Sequence, residues 1–303
     1  MKLHINNETS RLKAVVLGTA ESAGGIPNIS EAYDPKSIEH IKMGTYPKEE
    51  DMVREIESVS DVLKKHNVEV YRPKLIKDYN QIFARDIAFV IEDKFIMANI
   101  LPHREQEIEA ISHVINQIPS EDVVQLPENA HIEGGDVMPF GDYILVGTYT
   151  KEDYKSFITA RTNKEAVQAI KDLFPQKKVV SFNLKKSNVE PRDNALHLDC
   201  CFQPVGKDKA IIYKGGFLEE KDYEWLVNLF GKENIFEITR DEMYNMFSNV
   251  FSISEDVVIS ERSFKRLNNW LREQNIQVEE VPYAEIAKQE GLLRCSTLPL
   301  IRE

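Results

Sequence analysis

The sequence predicts an α/β fold in which one strand–strand–helix–strand unit recurs five times around a closed ring. Three observations carry this expectation. Four apolar segments are each split by a polar turn and read as β-hairpins. Each leads into a stretch with apolar residues at helical spacing and then into a short β-rich run. A fifth unit assembles only when the two chain ends are joined. Repeats of roughly 50 to 65 residues imply a radial array rather than separate domains, and closing the ring removes open sheet edges. One catalytic domain over residues 1–303 is therefore expected.

The elements follow in order. Leu12 to Leu17 is a strand, Glu49 to Lys65 a helix with Met52, Ile56, Val59 and Leu63 on one face, and Val68-Glu69-Val70 a second strand. The first hairpin, Ala88 to Ile100, turns at Glu92-Asp93-Lys94 and precedes a helix over Arg104 to Gln117 and a strand over Val123 to Leu126. The second, Val137 to Val146, turns at Gly141-Asp142. It reaches its helix, Asn163 to Phe174, only after an extra segment, and a strand over Lys178 to Phe182 follows. The third, Phe202 to Tyr213, precedes a helix over Glu219 to Phe230 and a strand over Ile235 to Ile238. The fourth, Val250 to Ile259, precedes a helix over Arg262 to Gln274 and a strand over Ile276 to Glu279. Leu298 to Ile301 then pairs with the N-terminal strand and closes the ring.

Composition narrows the function. The chain has 303 residues, 42% of them apolar, enough for a sizeable core. No uncharged apolar run approaches the ~20 residues that span a bilayer, and the N-terminus lacks a signal-peptide stretch, so a cytoplasmic location is expected. Three cysteines, with Cys200 and Cys201 adjacent, build neither a disulfide framework nor a zinc finger and leave room for one reactive thiol. A net charge of -12 argues against nucleic acid and anionic membranes as partners and suits a small cationic ligand. No coiled-coil pattern fixes the oligomeric state, and a homo-oligomer is compatible with the sequence.

Polar residues recur at one place in the repeat. Asp86 lies seven positions before the turn residue Asp93, Glu133 nine before Asp142, and His197 eleven before Asp208. In a ring, matching places converge on one end of the central axis. Cys295 holds that place before the closing strand. The alternation in Asn194 to Phe202 predicts a strand with His197, Asp199 and Cys201 on one face. Glu133-Gly134-Gly135-Asp136 reads alone as a tight turn.

Together, Phe83-Ala84-Arg85-Asp86, Glu133-Gly134-Gly135-Asp136, His197-Leu198-Asp199 and Gly291-Leu292-Leu293-Arg294-Cys295 resemble the four signature segments of the guanidine-modifying enzyme superfamily. That superfamily includes arginine deiminases, dimethylarginine dimethylaminohydrolases and amidinotransferases. The resemblance implies a five-bladed pseudo-symmetric α/β propeller of ββαβ units, in agreement with the repeat count. It implies Cys295 as nucleophile, His197 as acid and base, Glu133 as the histidine's partner, and Asp86 with Asp199 as the pair that binds the guanidinium. Arg104, in Pro102-His103-Arg104-Glu105, and Arg161, in Arg161-Thr162-Asn163, lie where arginine-using members clamp the substrate's α-carboxylate.

Neither metal nor organic cofactor is required by such chemistry. A hydrolase acting on arginine or a related guanidine is expected. The alternatives are an amidinotransferase and a catalytically silent binding propeller. One departure stands out: deiminases often carry Gly-Gly and a further Arg shortly before the cysteine, whereas this chain has Lys288-Gln289-Glu290-Gly291. Arg294 beside the cysteine is deiminase-like. The Lys151 to Phe157 insert and the Gly24 to Asn28 region read as solvated loops or lids.

Overall fold

Amphipathic helices and hairpins alternate along the chain, and in the computed structural model they assemble into five three-stranded sheets arranged as blades. The structure describes residues 1–100 and 104–303; Pro102 and His103 of the segment before Arg104 lie outside the described residues. In the second to fifth blades, a hairpin supplies the first two strands. A helix then returns the chain so that a third strand pairs parallel with the middle one: Lys94–Met97 with Val123–Gln125, Tyr143–Thr148 with Lys178–Asn183, Lys209–Ile212 with Ile235–Glu237, and Val257–Glu261 with Gln277–Val281. The remaining blade takes its middle strand, Leu12–Leu17, from the N-terminus and its first, Thr297–Arg302, from the C-terminus, with Leu17 opposite Thr297. Glu69–Tyr71 completes it in parallel. The expected ring closure is thus the observed one.

Local chemistry explains the boundaries. Helix Glu49–Lys65 opens on three acids and closes on Lys64 and Lys65, charges that complement its dipole, and buries Met52, Ile56, Val59 and Leu63. Asn163 caps helix Lys164–Leu173 by accepting from the Ala166 amide at 3.0 Å. The hairpins turn at Gly141 and Gly206, both at positive φ.

Three expectations change. The stretch over Arg104 to Gln117 forms two short helices, Gln106–Ala110 and Ser112–Ile115, broken where Ile111 leaves helical geometry. Helix Lys265–Glu273 starts later than Arg262, whose amide pairs with the Val281 carbonyl instead. Asn194 to Phe202 is not a strand: Leu198–Cys200 is a tight helical turn and the strand begins at Phe202. Asp136 causes this by accepting the Leu198 amide at 2.9 Å, offering the backbone an alternative to a ladder. No helix among the described residues is long and apolar enough to cross a membrane.

Candidate active site

Asp86, Glu133, His197 and Cys295 each lie just before the first strand of a blade, so the ring gathers them at one end of its axis. A cavity of about 620 Å³ opens there, lined by Asp86, Arg104, Arg161, His197 and Cys295 among others. His197 Nε2 donates to Glu133 Oε2 at 2.7 Å, and its Nδ1 lies 3.8 Å from Asp86 Oδ1. The ring passes so close to Gly135 that a Cβ there would sit 2.6 Å from Nδ1. Burial alone would depress the imidazole, but Asp86 and Glu133 push its pKa up to about 9. The histidine is therefore a cation at neutral pH.

The carboxylates are held by arginines. Burial would raise Glu133, yet Arg161, which donates at 3.0 and 3.2 Å, and His197 hold it well below the usual carboxylate range. Asp86 Oδ2 accepts from Arg104 at 2.8 Å, while its Oδ1 has no hydrogen-bond partner among the described residues. Burial pushes Asp86 up. Arg104 also grips Glu107 at 2.7 and 3.1 Å. Thus both arginines expected to clamp a carboxylate line the cavity but are already paired with acids of the site.

Because of the turn at Leu198–Cys200, Asp199 does not share a face with His197 and Cys201. Its Oδ2 accepts from Arg294 at 2.9 Å and lies 3.7 Å from the Cys295 sulfur. Arg294 is fully buried, donating also to Glu8 at 3.2 and 3.1 Å and to the Val137 carbonyl at 2.8 Å. Burial raises Glu8, but Arg294 and Arg85 outweigh it and set its pKa at about 2. Cys201 turns away and its sulfur lies 3.5 Å from the Leu198 carbonyl.

Cys295 is 3% exposed. Its thiol is pushed well above its ordinary value by burial and then by Asp199 and Asp86. Asn249, which the sequence reading passed over, donates to the sulfur at 3.2 Å and accepts from the backbone amides of Arg294 and Cys295 at 2.9 and 3.2 Å. The signal was available: Asn249 lies seven positions before Asp256 in the fourth hairpin, as Asp86 lies seven before Asp93. Gly24, Gly25 and Pro27 line the cavity, as does Ile158 just after the Lys151 to Phe157 insert.

Asp86, Glu133 and His197 place donor atoms within 4.8 Å of one another, spacing that suits a metal ion. The guanidiniums of Arg104 and Arg161 already supply positive charge to both acids. A second cation would compete with them.

The family profile described as N,N dimethylarginine dimethylhydrolase, eukaryotic, matches residues 37–302. The uncharacterized protein YkgA of Bacillus subtilis (strain 168) is 28% identical over 243 residues, 80% of this chain and 77% of that protein. The arginine deiminase of Oenococcus oeni is 24% identical over 293 residues, 82% of this chain and 67% of the deiminase. Among solved structures, the product-bound N-terminal domain of ArgZ, an arginine dihydrolase from the ornithine-ammonia cycle in cyanobacteria, is similar with a TM-score of 0.76 at 18% identity, covering 94% of this chain and 96% of that one. The inosamine-phosphate amidinotransferase of Streptomyces griseus is similar with a TM-score of 0.76 at 13% identity, covering 99% and 97%. At such identities the structures speak for the fold, a five-bladed α/β propeller.

Proposed function

The chain belongs to the N,N dimethylarginine dimethylhydrolase family within the guanidine-modifying enzyme superfamily, and from that premise we propose that it hydrolyses a C–N bond of a guanidino group through a covalent adduct on Cys295. The observation that carries this reading is a thiol, a cationic imidazole and a carboxylate with one open oxygen, all lining one cavity.

A guanidinium is planar, cationic and resonance-stabilised, so it must be held by its N–H groups and attacked by something stronger than water. Asp86 Oδ1 offers an open acceptor, and Asp199 lies beside the sulfur. Burial, and after it the same two acids, hold the thiol protonated in the free protein. A bound guanidinium offsets both charges and favours loss of the thiol proton to solvent, and Asn249 donates to the sulfur. The thiolate adds to the guanidine carbon and forms the C–S bond. As the C–N bond breaks, imidazolium His197 gives its proton to the departing amine, leaving an amidino-thioether cation on Cys295. Neutral His197 then takes a proton from water, which adds to the same carbon. The C–S bond breaks, the adduct's hydroxyl proton passes to solvent, and a neutral ureido product and the thiolate are released. Glu133 and Asp86 stabilise the imidazolium at the first and last stages.

Closure of the ring by both chain ends supports one catalytic domain over residues 1–303. No part of the scheme calls for a metal or organic cofactor. The experiment is incubation with arginine, methylated arginines, agmatine and guanidino acids, with and without an amine acceptor, followed by mass detection. A ureido product, free amine and an adduct on Cys295 are expected without acceptor. A strict acceptor requirement would replace hydrolysis with amidino transfer. Undiminished turnover in Cys295→Ala would end the covalent reading, since loss of such a nucleophile costs at least about a thousandfold.

A further inference from the structure

We infer that Asp136 is a positioning residue for the acid–base group, holding His197 in register with Glu133. This role rests on the proposed guanidine chemistry and adds to it a side chain that lies behind the cavity wall.

Glu133 and Asp136 stand at the two ends of one tight turn, in which Glu133 caps Gly134–Asp136 and the Asp136 amide donates to the Glu133 carbonyl at 3.0 Å. Both carboxylates are buried, and they take hold of the same two segments. Glu133 accepts from the side chains of Arg161 and His197. Asp136 accepts from the residue that follows each of them: its Oδ2 from the Thr162 hydroxyl at 2.6 Å and its Oδ1 from the Leu198 amide at 2.9 Å. The contacts close on themselves. Neither Arg161 nor His197 can slide along Glu133 without breaking a bond to Asp136.

The surroundings fix this frame. Lys186, itself buried, donates to the Ala195 and Leu196 carbonyls at 2.8 Å each, so the backbone is gripped by a buried charge on either side of His197. The Thr162 carbonyl accepts from the Thr148 hydroxyl at 2.9 Å and the Tyr149 amide at 3.1 Å. Gly147 makes room for the carboxylate, since a Cβ there would lie 2.3 Å from Asp136 Oδ1 and 2.9 Å from the Leu198 Cβ. A reacting group displaced by about 1 Å can lose about a hundredfold in rate. A residue that touches no substrate can therefore govern turnover.

Three variants of the full chain separate position from charge. Asp136→Ala removes both bonds. Asp136→Asn removes the charge but keeps an acceptor for Leu198 and a partner for the Thr162 hydroxyl. Thr162→Val cuts one bond and leaves every charge in place. The titration midpoint of the His197 imidazole is read by NMR on the substrate-free, folded protein, and kcat is measured on a guanidine that the wild type turns over. In Asp136→Ala the midpoint should fall about one unit further than in Asp136→Asn, because the bond to Glu133 loosens as well, and kcat should drop about a hundredfold. Asp136→Asn should keep kcat within about tenfold of the wild type, and Thr162→Val should lower the midpoint although no charge has changed. Equal effects of Asp136→Ala and Asp136→Asn would make Asp136 a source of charge rather than of position and overturn the inference. So would a wild-type midpoint and rate in folded Asp136→Ala. If Asp136→Ala does not fold, an unchanged midpoint in Thr162→Val overturns it. Should the wild type turn over no guanidine, the midpoints still decide the positioning of His197, while the hydrolase reading falls by itself.

Discussion

The side-chain amide of Asn249 donates to the sulfur of Cys295 at 3.2 Å while its oxygen accepts from the Cys295 amide at the same distance. One side chain, from the blade next to the cysteine's own, therefore fixes the backbone that carries the thiol and offers a donor to its charged form. Neither residue explains the other's place. The ring does, by bringing the two pre-strand positions together.

Replacing Asn249 by aspartate keeps the acceptor, removes the donor and sets a negative charge beside the sulfur. Alkylation of Cys295 by iodoacetamide, followed by peptide mass, should slow about tenfold at neutral pH, and its pH midpoint should move upward. An unchanged rate would show that the amide does not tune the thiol.

The pair His197–Glu133 predicts a pH dependence with a defined sign. Because the folded imidazole is raised from 6.5 to about 9, its contribution to stability is complete below about 6.5 and is lost as pH rises through about 9. Urea unfolding followed from pH 6 to 10 should show this decline in the wild type. In Glu133→Gln the decline should weaken, and the basic limb of kcat/KM should shift to lower pH. Superimposable profiles would refute the assignment.

Gly135 has ordinary backbone geometry, so an alanine there acts through space alone. Its Cβ would meet His197 Nδ1 at 2.6 Å and displace the ring. A fall of about a hundredfold in kcat is expected, with a stability loss of about 1–3 kcal/mol from overpacking. Activity near the wild-type value would mean that the imidazole tolerates displacement.

Arg294 links Glu8 and Asp199 at full burial. Arg294→Met leaves Asp199 without its arginine and Glu8 with only the more distant Arg85 at 4.0 Å, and should cost about 3–5 kcal/mol in chemical denaturation. The combined variant Arg294→Met, Glu8→Met should recover part of that loss. If the single variant is as stable as the wild type, the buried cluster is not what holds the ring's interior together.

Much of this molecule is legible in its sequence because hairpins and amphipathic helices are local. Periodicity found Leu12–Leu17 and Glu49–Lys65 with the boundaries observed, and matching positions in the repeat led to Asp86, Glu133, His197 and Cys295. Asn249 occupied the same position and was passed over because an uncharged amide carries no catalytic signature by itself. Asp199 was misplaced because a turn held by Asp136 replaced the alternation that its neighbours suggest. Glu8 lies in an N-terminal arm without periodic pattern and becomes meaningful only against Arg294.

The sequence alone determined the repeated unit, its closure by the chain ends and the order in which polar residues reach the axis, since each depends on local spacing. The tertiary structure decided which charge meets which. Arg294 points inward to Glu8 and Asp199, while Arg104 and Arg161 neutralise Asp86 and Glu133. Arg294 and Asp199 come from different blades, whereas Arg104–Asp86 and Arg161–Glu133 each pair within one; in every case the energy depends on distance and burial, which chain spacing does not encode.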